Sequence, residues 1–296
     1  MMGVALSLLP VSKLWLGCLT FVILVGIPHG ALDIYLLWFR NEKKLITFLV
    51  SMVRYLVFVG CGLLLWQKLP ELFWAAFFLA AVYHFGSSDE HPEILNSLFS
   101  NPALKNLWIL SRGALLVFAP FVFHPQKITD YLSYAVPVSF ATRVTSVAPF
   151  LLIYAGIGLI ATTGQALRKS SLQVHRWILV KYFLTLVVIL LLFVVGDPLV
   201  CFSLYFCCHH SLVHTYRVLK KFSVSIKPLR LGVAVGLSVV VLFLLLNWVE
   251  QHFVLRGASE GIVTAMFVAL AALTFPHLIE VQHLHHALPQ RIRKRS

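Results

Sequence analysis

Residues 178–214 read ILVKYFLTLVVILLLFVVGDPLVCFSLYFCCHHSLVH, and two features of this stretch decide the fold. From Tyr182 to Val195 the chain carries no charge, and after Gly196-Asp197-Pro198 a second apolar run begins. A Gly-Asp-Pro break is turn chemistry, because Pro cannot continue the preceding helix and Gly and Asp tolerate tight backbone geometry. Each run approaches the ~20 residues that an α-helix needs to cross hydrocarbon. The pair therefore reads as two antiparallel spanning helices joined by a short turn. The second of them carries His209, His210 and His214 in its apolar interior.

Outward from that pair the pattern repeats. Nine spans follow from the apolar runs, at roughly 12–39, 46–66, 71–88, 107–124, 145–167, 175–195, 198–221, 230–250 and 260–286. Asn101-Pro102 and His124-Pro125 mark the longer connections, and Gly26-Ile27-Pro28 predicts a kink in the first span. The expected fold is an all-α polytopic transmembrane bundle of eight or nine helices, eight if one segment is re-entrant. It forms a single integral-membrane domain over 1–296, with short loops and a basic tail from about 287 to 296. The first run has no basic residues before it and no A-x-A site, so it reads as a span and not as a leader.

Composition agrees. Of 296 residues, 59% are hydrophobic and 12% charged, with a mean hydropathy of +0.88; a soluble domain carries about 25% charged residues. The formal net charge of +13 is spread over short loops and the tail and forms no recognition element, which argues against nucleic acid as a partner. Arg40, Lys43, Lys44, Lys105, Arg168, Lys169, Arg176, Arg217, Lys220, Lys221, Lys227, Arg230, Arg291, Arg293, Lys294 and Arg295 fall on one side of the nine-span topology. Only Lys13, Lys68, Lys127, Arg143 and Arg256 fall on the other. The positive-inside rule then places the N-terminus outside and the C-terminus in the cytoplasm, with a bacterial inner membrane the natural setting for such a bundle. The five cysteines lie in apolar segments without a C-x-x-C pair and read as buried free thiols. Membrane lipids are expected partners; the sequence carries no signal for oligomeric state.

The thirteen histidines are distributed unevenly. The interior ones, His29, His84, His209, His210, His214 and His277, sit on the first, third, seventh and ninth spans, which run in the same direction. Counted from the outer helix ends, His29, His84, His210, His214 and His277 lie at depths of roughly 18–26 Å at ~1.5 Å per residue. A lone histidine in a membrane helix is often a hydrogen-bonding packing residue. Five at one depth point to a site, because intramembrane ionisable groups are costly. His210 and His214 are four apart and share a helix face, as two ligands of one ion require. Imidazole ligation suits zinc, copper, iron or nickel. Asp33, Asp89 and Glu280 lie within five residues of His29, His84 and His277 respectively, where carboxylates can orient imidazole N–H groups. Interfacial solvation is the alternative for them, above all for Asp89.

The series Pro28-His29-Gly30-Ala31-Leu32-Asp33, Tyr83-His84-Phe85-Gly86-Ser87-Ser88-Asp89, His210-Ser211-Leu212-Val213-His214 and Pro276-His277 resembles the Brp/Blh family. These are bacteriorhodopsin-related proteins understood as membrane-integral β-carotene 15,15′-dioxygenases. The resemblance runs in order from the first span to the last. It departs at His209, where the family often has an aromatic residue, and at Val213, where it often has arginine. It implies an Fe(II) enzyme that uses O₂ to split β-carotene or a related carotenoid at its central double bond into retinal. It implies the ligands His29, His84, His210 and His214, with His277 an auxiliary ligand or a residue behind the ligands.

Chemistry independent of the resemblance is compatible with it. A site inside the bilayer receives an apolar polyene laterally, and four neutral ligands leave positions open on a catalytic ion. Tyr83, Phe85, Tyr205, Phe206, Tyr216 and Phe275 are candidate tunnel residues, with ordinary packing or lipid contact as the alternative. The rival readings are a histidine-box di-iron desaturase or hydroxylase, drawing on His283, His285 and His286, and a non-catalytic haem-binding or transport protein.

Overall fold

The computed structural model describes residues 17, 18, 20–22, 26, 30, 32–34, 37, 38, 44–88, 92–169, 173–216, 236, 240, 243, 244 and 258–292. All regular structure among them is helical. The helices are α1 (Leu45–Lys68), α2 (Pro70–Ser88), α3 (Pro92–Leu98), α4 (Pro102–Phe123), α5 (Pro125–Ser133), α6 (Val138–Lys169), α7 (Gln173–Val195), α8 (Pro198–Leu204) and α9 (Ala258–Ile292). A π-helical turn, Tyr205–Ser211, follows α8 directly.

Five of these helices, α2, α3, α4, α5 and α8, begin with proline. At the first helical position its fixed φ suits the helix and its missing N–H would have had no intrahelical partner. Two of the breaks read from sequence are caps. Asn101 accepts from the Ala103 N–H at 2.8 Å. Asp197 accepts from the N–H groups of Leu199 and Val200 and also holds Lys127 Nζ at 2.9 Å.

Helices stand over the expected 46–66, 71–88, 107–124, 145–167, 175–195 and 260–286, and the expected 198–221 is described as helix as far as 216. Of these, 71–88 and 198–221 are not among the membrane-length helices given below. The sequence-based spans missed α3 and α5, short helices inside the longer connections. The first expected span is described only at scattered residues, and 230–250 lies almost wholly outside the described residues. Among those described, five helical stretches are long and apolar enough to cross a membrane: Leu45–Lys68, Pro102–Phe123, Val138–Arg168, Arg176–Val195 and Thr264–Gln282. Their outward faces are apolar. Leu49, Val53 and Leu56 on α1, Ile153, Ile157 and Ile160 on α6, and Leu184, Val188 and Leu191 on α7 are all exposed. Faces of this kind suit a hydrocarbon solvent and would be an aggregation liability in water.

The chain divides into two compact units, Met1–Cys18 with Phe78–Tyr205, and Leu19–Phe77 with Phe206–Ser296. The core of the first joins α4, α6 and α7 through Leu115, Leu116, Ala119, Ala155, Leu159, Leu186 and Phe193. Here the last turns of α2 lie against α4 at two glycines. A Cβ on Gly86 would run into the Ile109 carbonyl, and one on Gly113 into the Val82 carbonyl. Small residues that let backbones touch are how helices associate where lipid removes the hydrophobic drive. In the second unit, α9 buries Ala265, Met266, Val268, Ala269, Ala271 and Ala272, and Ala272 meets Gly62 of α1.

The glycine contacts yield a direct expectation. Gly113→Ala should destabilise the protein by at least ~1–3 kcal/mol, the usual cost of overpacking, since the obstacle is backbone. Thermal unfolding in detergent should show a lowered midpoint, whereas Gly156→Ala, with open space around its Cβ position, should leave it nearly unchanged.

Candidate metal centre

Within the second unit, polar side chains from four separate stretches meet in the interior. Asp33 is 1% exposed and His277, on α9, is 6% exposed. The Nδ1 of His277 lies 2.9 Å from Oδ1 and 2.8 Å from Oδ2 of Asp33. A carboxylate only accepts, so Nδ1 carries the hydrogen and donates. Tyr55 of α1 donates its hydroxyl to Asp33 Oδ2 at 3.0 Å.

The other edge of the group is a row of rings. The ring centres of His277 and His214 are 5.6 Å apart at 63° between planes. His214 and His210 are 6.5 Å apart and nearly parallel at 22°. His210, fully buried, stacks on Phe206 at 5.8 Å and 21°. Gly26 makes room for that last ring, because a Cβ there would stand 2.7 Å from the Phe206 edge. Leu212, between the two histidines in sequence, is exposed, so the segment turns its imidazoles inward and its leucine outward.

These residues suit a metal ion by the chemistry of the donor set. With metal–nitrogen bonds of ~2.1 Å, two imidazoles on one ion have ring centres no more than about 6.5 Å apart. The pair His214 and His277 falls well inside that reach, and His210 and His214 stand at its limit. A carboxylate on the far nitrogen of a histidine is the usual support of a metal-binding imidazole. Among the described residues no three His, Cys, Asp or Glu side chains lie close enough together to hold an ion. His29 and Asp89 lie outside those residues.

His84 belongs to the first unit. It is buried, and its ring lies 5.4 Å from that of Phe85. Side chains bond the carbonyls of the last described turns of α2 around it. Ser87 Oγ donates to the Tyr83 carbonyl at 2.8 Å, Ser88 Oγ to the His84 carbonyl at 2.6 Å, and Arg112 Nη1 to the Phe85 carbonyl at 2.8 Å. The two serine bonds are back-bonds of a hydroxyl to the carbonyl four residues earlier within α2, whereas the Arg112 guanidinium reaches the Phe85 carbonyl from another helix. Arg112, 2% exposed on α4, was not anticipated from the sequence. A count of loop charges passes over a cation inside a span, yet a buried intramembrane arginine is itself a signal of a constrained site.

The sequence paired Asp33 with His29 and Glu280 with His277 by proximity along the chain. In the structure the carboxylate on His277 Nδ1 is that of Asp33. Glu280, one turn further along α9, is partly buried. Of the six candidate tunnel aromatics, Phe85 and Tyr205 are in edge contact at 5.5 Å in the first unit, and Tyr83 packs on that unit's core. In the second, Phe275 meets Phe73 at 6.0 Å and Phe206 backs His210. Tyr216 is 62% exposed. Tyr55 escaped the sequence reading altogether, since nothing local marks one tyrosine in an apolar helix as a hydrogen-bond donor to a residue 22 positions earlier.

These features define a class: a helical protein with helices long and apolar enough to cross a membrane, and with imidazoles and a carboxylate withdrawn into its interior. Comparison with known proteins narrows it. A family model described as "Beta-carotene 15,15'-dioxygenase" matches residues 20–285. A curated protein of the same name from uncultured marine bacterium 66A03 is 27% identical over 287 residues, which cover 93% of this chain and 95% of that protein. No solved structure matches. The chain belongs to the β-carotene 15,15′-dioxygenase family, and it is an oxygenase.

Arg112 offers a measurable consequence. Arg112→Met should cost ~1.5–3 kcal/mol for the lost charged hydrogen bond to the Phe85 carbonyl, and Arg112→Lys less. Chemical unfolding in micelles, compared across the two variants and the parent, checks both size and order.

Proposed function

We propose that this enzyme cleaves β-carotene or a closely related carotenoid at its central double bond, giving retinal, with Fe(II) held by His29, His84, His210 and His214. Asp33, Asp89, Glu280 and His277 stand behind or beside the ligands. The protein lies in the bacterial inner membrane as a bundle of eight or nine spans, N-terminus outside and C-terminus in the cytoplasm. Membership of the family supports the substrate and product. One observation carries the metal reading: buried imidazoles of His210, His214 and His277 in succession, the last supported by the carboxylate of Asp33.

The overall reaction is balanced by one O₂, whose two atoms replace one C=C bond with two C=O bonds. Fe(II), when bound, supplies the means of activating dioxygen toward the alkene. The chain's own residues do the rest. His210 and His214, kept apart from water, offer neutral nitrogen donors that leave the positive charge of the ion undiminished. Apolar outward faces allow a polyene to approach through the lipid without crossing water. Phe206 backs His210 and restricts its rotation, while Phe85, Tyr205, Tyr83 and Phe275 supply aromatic surface for a polyene tunnel; Tyr216 contributes at an outward-facing position.

Expression in cells that accumulate β-carotene tests the proposal. The parent should bleach the cells and produce retinal. His29→Ala, His84→Ala, His210→Ala and His214→Ala should each cut retinal by more than ~100-fold, beyond what is lost when only a supporting residue is changed. One iron per purified chain is the expected content, and two would favour the di-iron desaturase chemistry. Retinal production indifferent to all four substitutions would sink the site.

A further inference from the structure

We infer that Tyr55 and Asp33 hold His277 as a direct nitrogen donor to the same ion as His214, so that Tyr55 is a positioning residue of the metal centre. This rests on the iron reading above. The three groups form one line: the Tyr55 hydroxyl donates to Asp33 Oδ2, and Nδ1–H of His277 donates to the same carboxylate. A neutral imidazole that carries its hydrogen on Nδ1 keeps its lone pair on Nε2. Asp33 thus fixes both the tautomer and the rotation of the ring. That leaves Nε2 as the donor nitrogen, in a ring whose centre is 5.6 Å from that of His214. Two imidazole nitrogens at ~2.1 Å from one ion place their ring centres within that separation's range.

Tyr55 has its own part. Asp33 is withdrawn from solvent, and a carboxylate there accepts more than one hydrogen bond or is poorly satisfied. With Tyr55 bound at Oδ2, the carboxylate is anchored to α1 and cannot rotate away from His277. Leu56, Val57 and Phe58, which follow Tyr55 on α1, are apolar and exposed, and Ser51, one turn before it, returns its hydroxyl to the Thr47 carbonyl of its own helix. The phenol is therefore the polar group by which α1 reaches the centre.

The test uses the full chain, purified in detergent and loaded with Fe(II) under anaerobic conditions. Iron per chain, the rate of Fe(II) transfer to a ferrous chelator and the unfolding midpoint are measured together. Asp33→Asn and His277→Ala should each release iron ~10–100-fold faster, the range found when the support of a ligand is removed. Tyr55→Phe should release it several-fold faster, and adding imidazole to His277→Ala should slow the loss. Because Tyr55 acts through Asp33, Tyr55→Phe should change nothing further in an Asp33→Asn background. That comparison stands even if His277→Ala does not fold. A merely structural line would lower the unfolding midpoint and leave the release rate within twofold of the parent, and that result overturns the inference. A parent that holds one iron and forms retinal while its variants release iron normally fails this inference alone. A parent that forms retinal without taking up iron fails the iron reading, and this inference with it.

Discussion

An ionisable carboxylate withdrawn from solvent inside an apolar-faced bundle must find donors, and Asp33 is the group on which the second unit is organised. Leaving such a charge unpaired costs several kcal/mol. Its donors come from elsewhere in the chain: Tyr55 on α1 and His277 on α9. One satisfied carboxylate therefore ties the first segment to two helices. It also sets the rotation of His277, against which His214 lies edge-on, then His210, then Phe206, then the gap left by Gly26. Each ring takes its place from the one before it, so the polar contact at one end positions an apolar contact at the other.

The first unit meets a similar demand with backbone groups. His84, Gly86 and Ser88 on α2 are buried, and polar groups there must be satisfied within the protein. Ser87 and Ser88 return their hydroxyls to the carbonyls of Tyr83 and His84, and Arg112 crosses from α4 to that of Phe85. This arrangement requires α2 and α4 to touch, which Gly86 and Gly113 permit. The Tyr-His-Phe-Gly-Ser-Ser stretch is thus a physical unit: a histidine, the glycine that brings α4 close, and the hydroxyls that bond back to the carbonyls of Tyr83 and His84.

What the sequence disclosed and what it hid follow from the range of the forces involved. Helix placement was legible because apolar run length and Gly-Asp-Pro or Asn-Pro breaks are local; α1, α2 and α7 begin and end within two residues of the expected spans. The burial of His84, His210, His214 and His277 was legible because a histidine in an apolar run has little choice. The partner of Asp33 was not, since chain proximity suggested His29, whereas the hydrogen bond reaches 244 residues ahead to His277. Arg112 and Tyr55 were missed for the same reason. Each is one polar residue in an apolar helix, and its purpose is written in another segment.

The π-helical turn bears on how Phe206 lines up with the two histidines, which at a spacing of four already share a helix face. On a straight α-helix, residues four apart overshoot a full turn by about 40°, so Phe206, His210 and His214 would spiral by roughly 80° across the set. A π-turn is wider than an α-turn and falls short of a full circle in the same four residues. Tyr205–Ser211 is π and residues 212–216 return to α, so the shortfall of the first step offsets the overshoot of the second. The three rings stack in sequence, inclined by 21° and 22° from one to the next. His210 and His214 are both buried while Leu212 between them faces outward. A wider turn sacrifices regular helical packing, and here it brings Phe206 back beneath the histidine pair, whose own spacing of four places both imidazoles on one face.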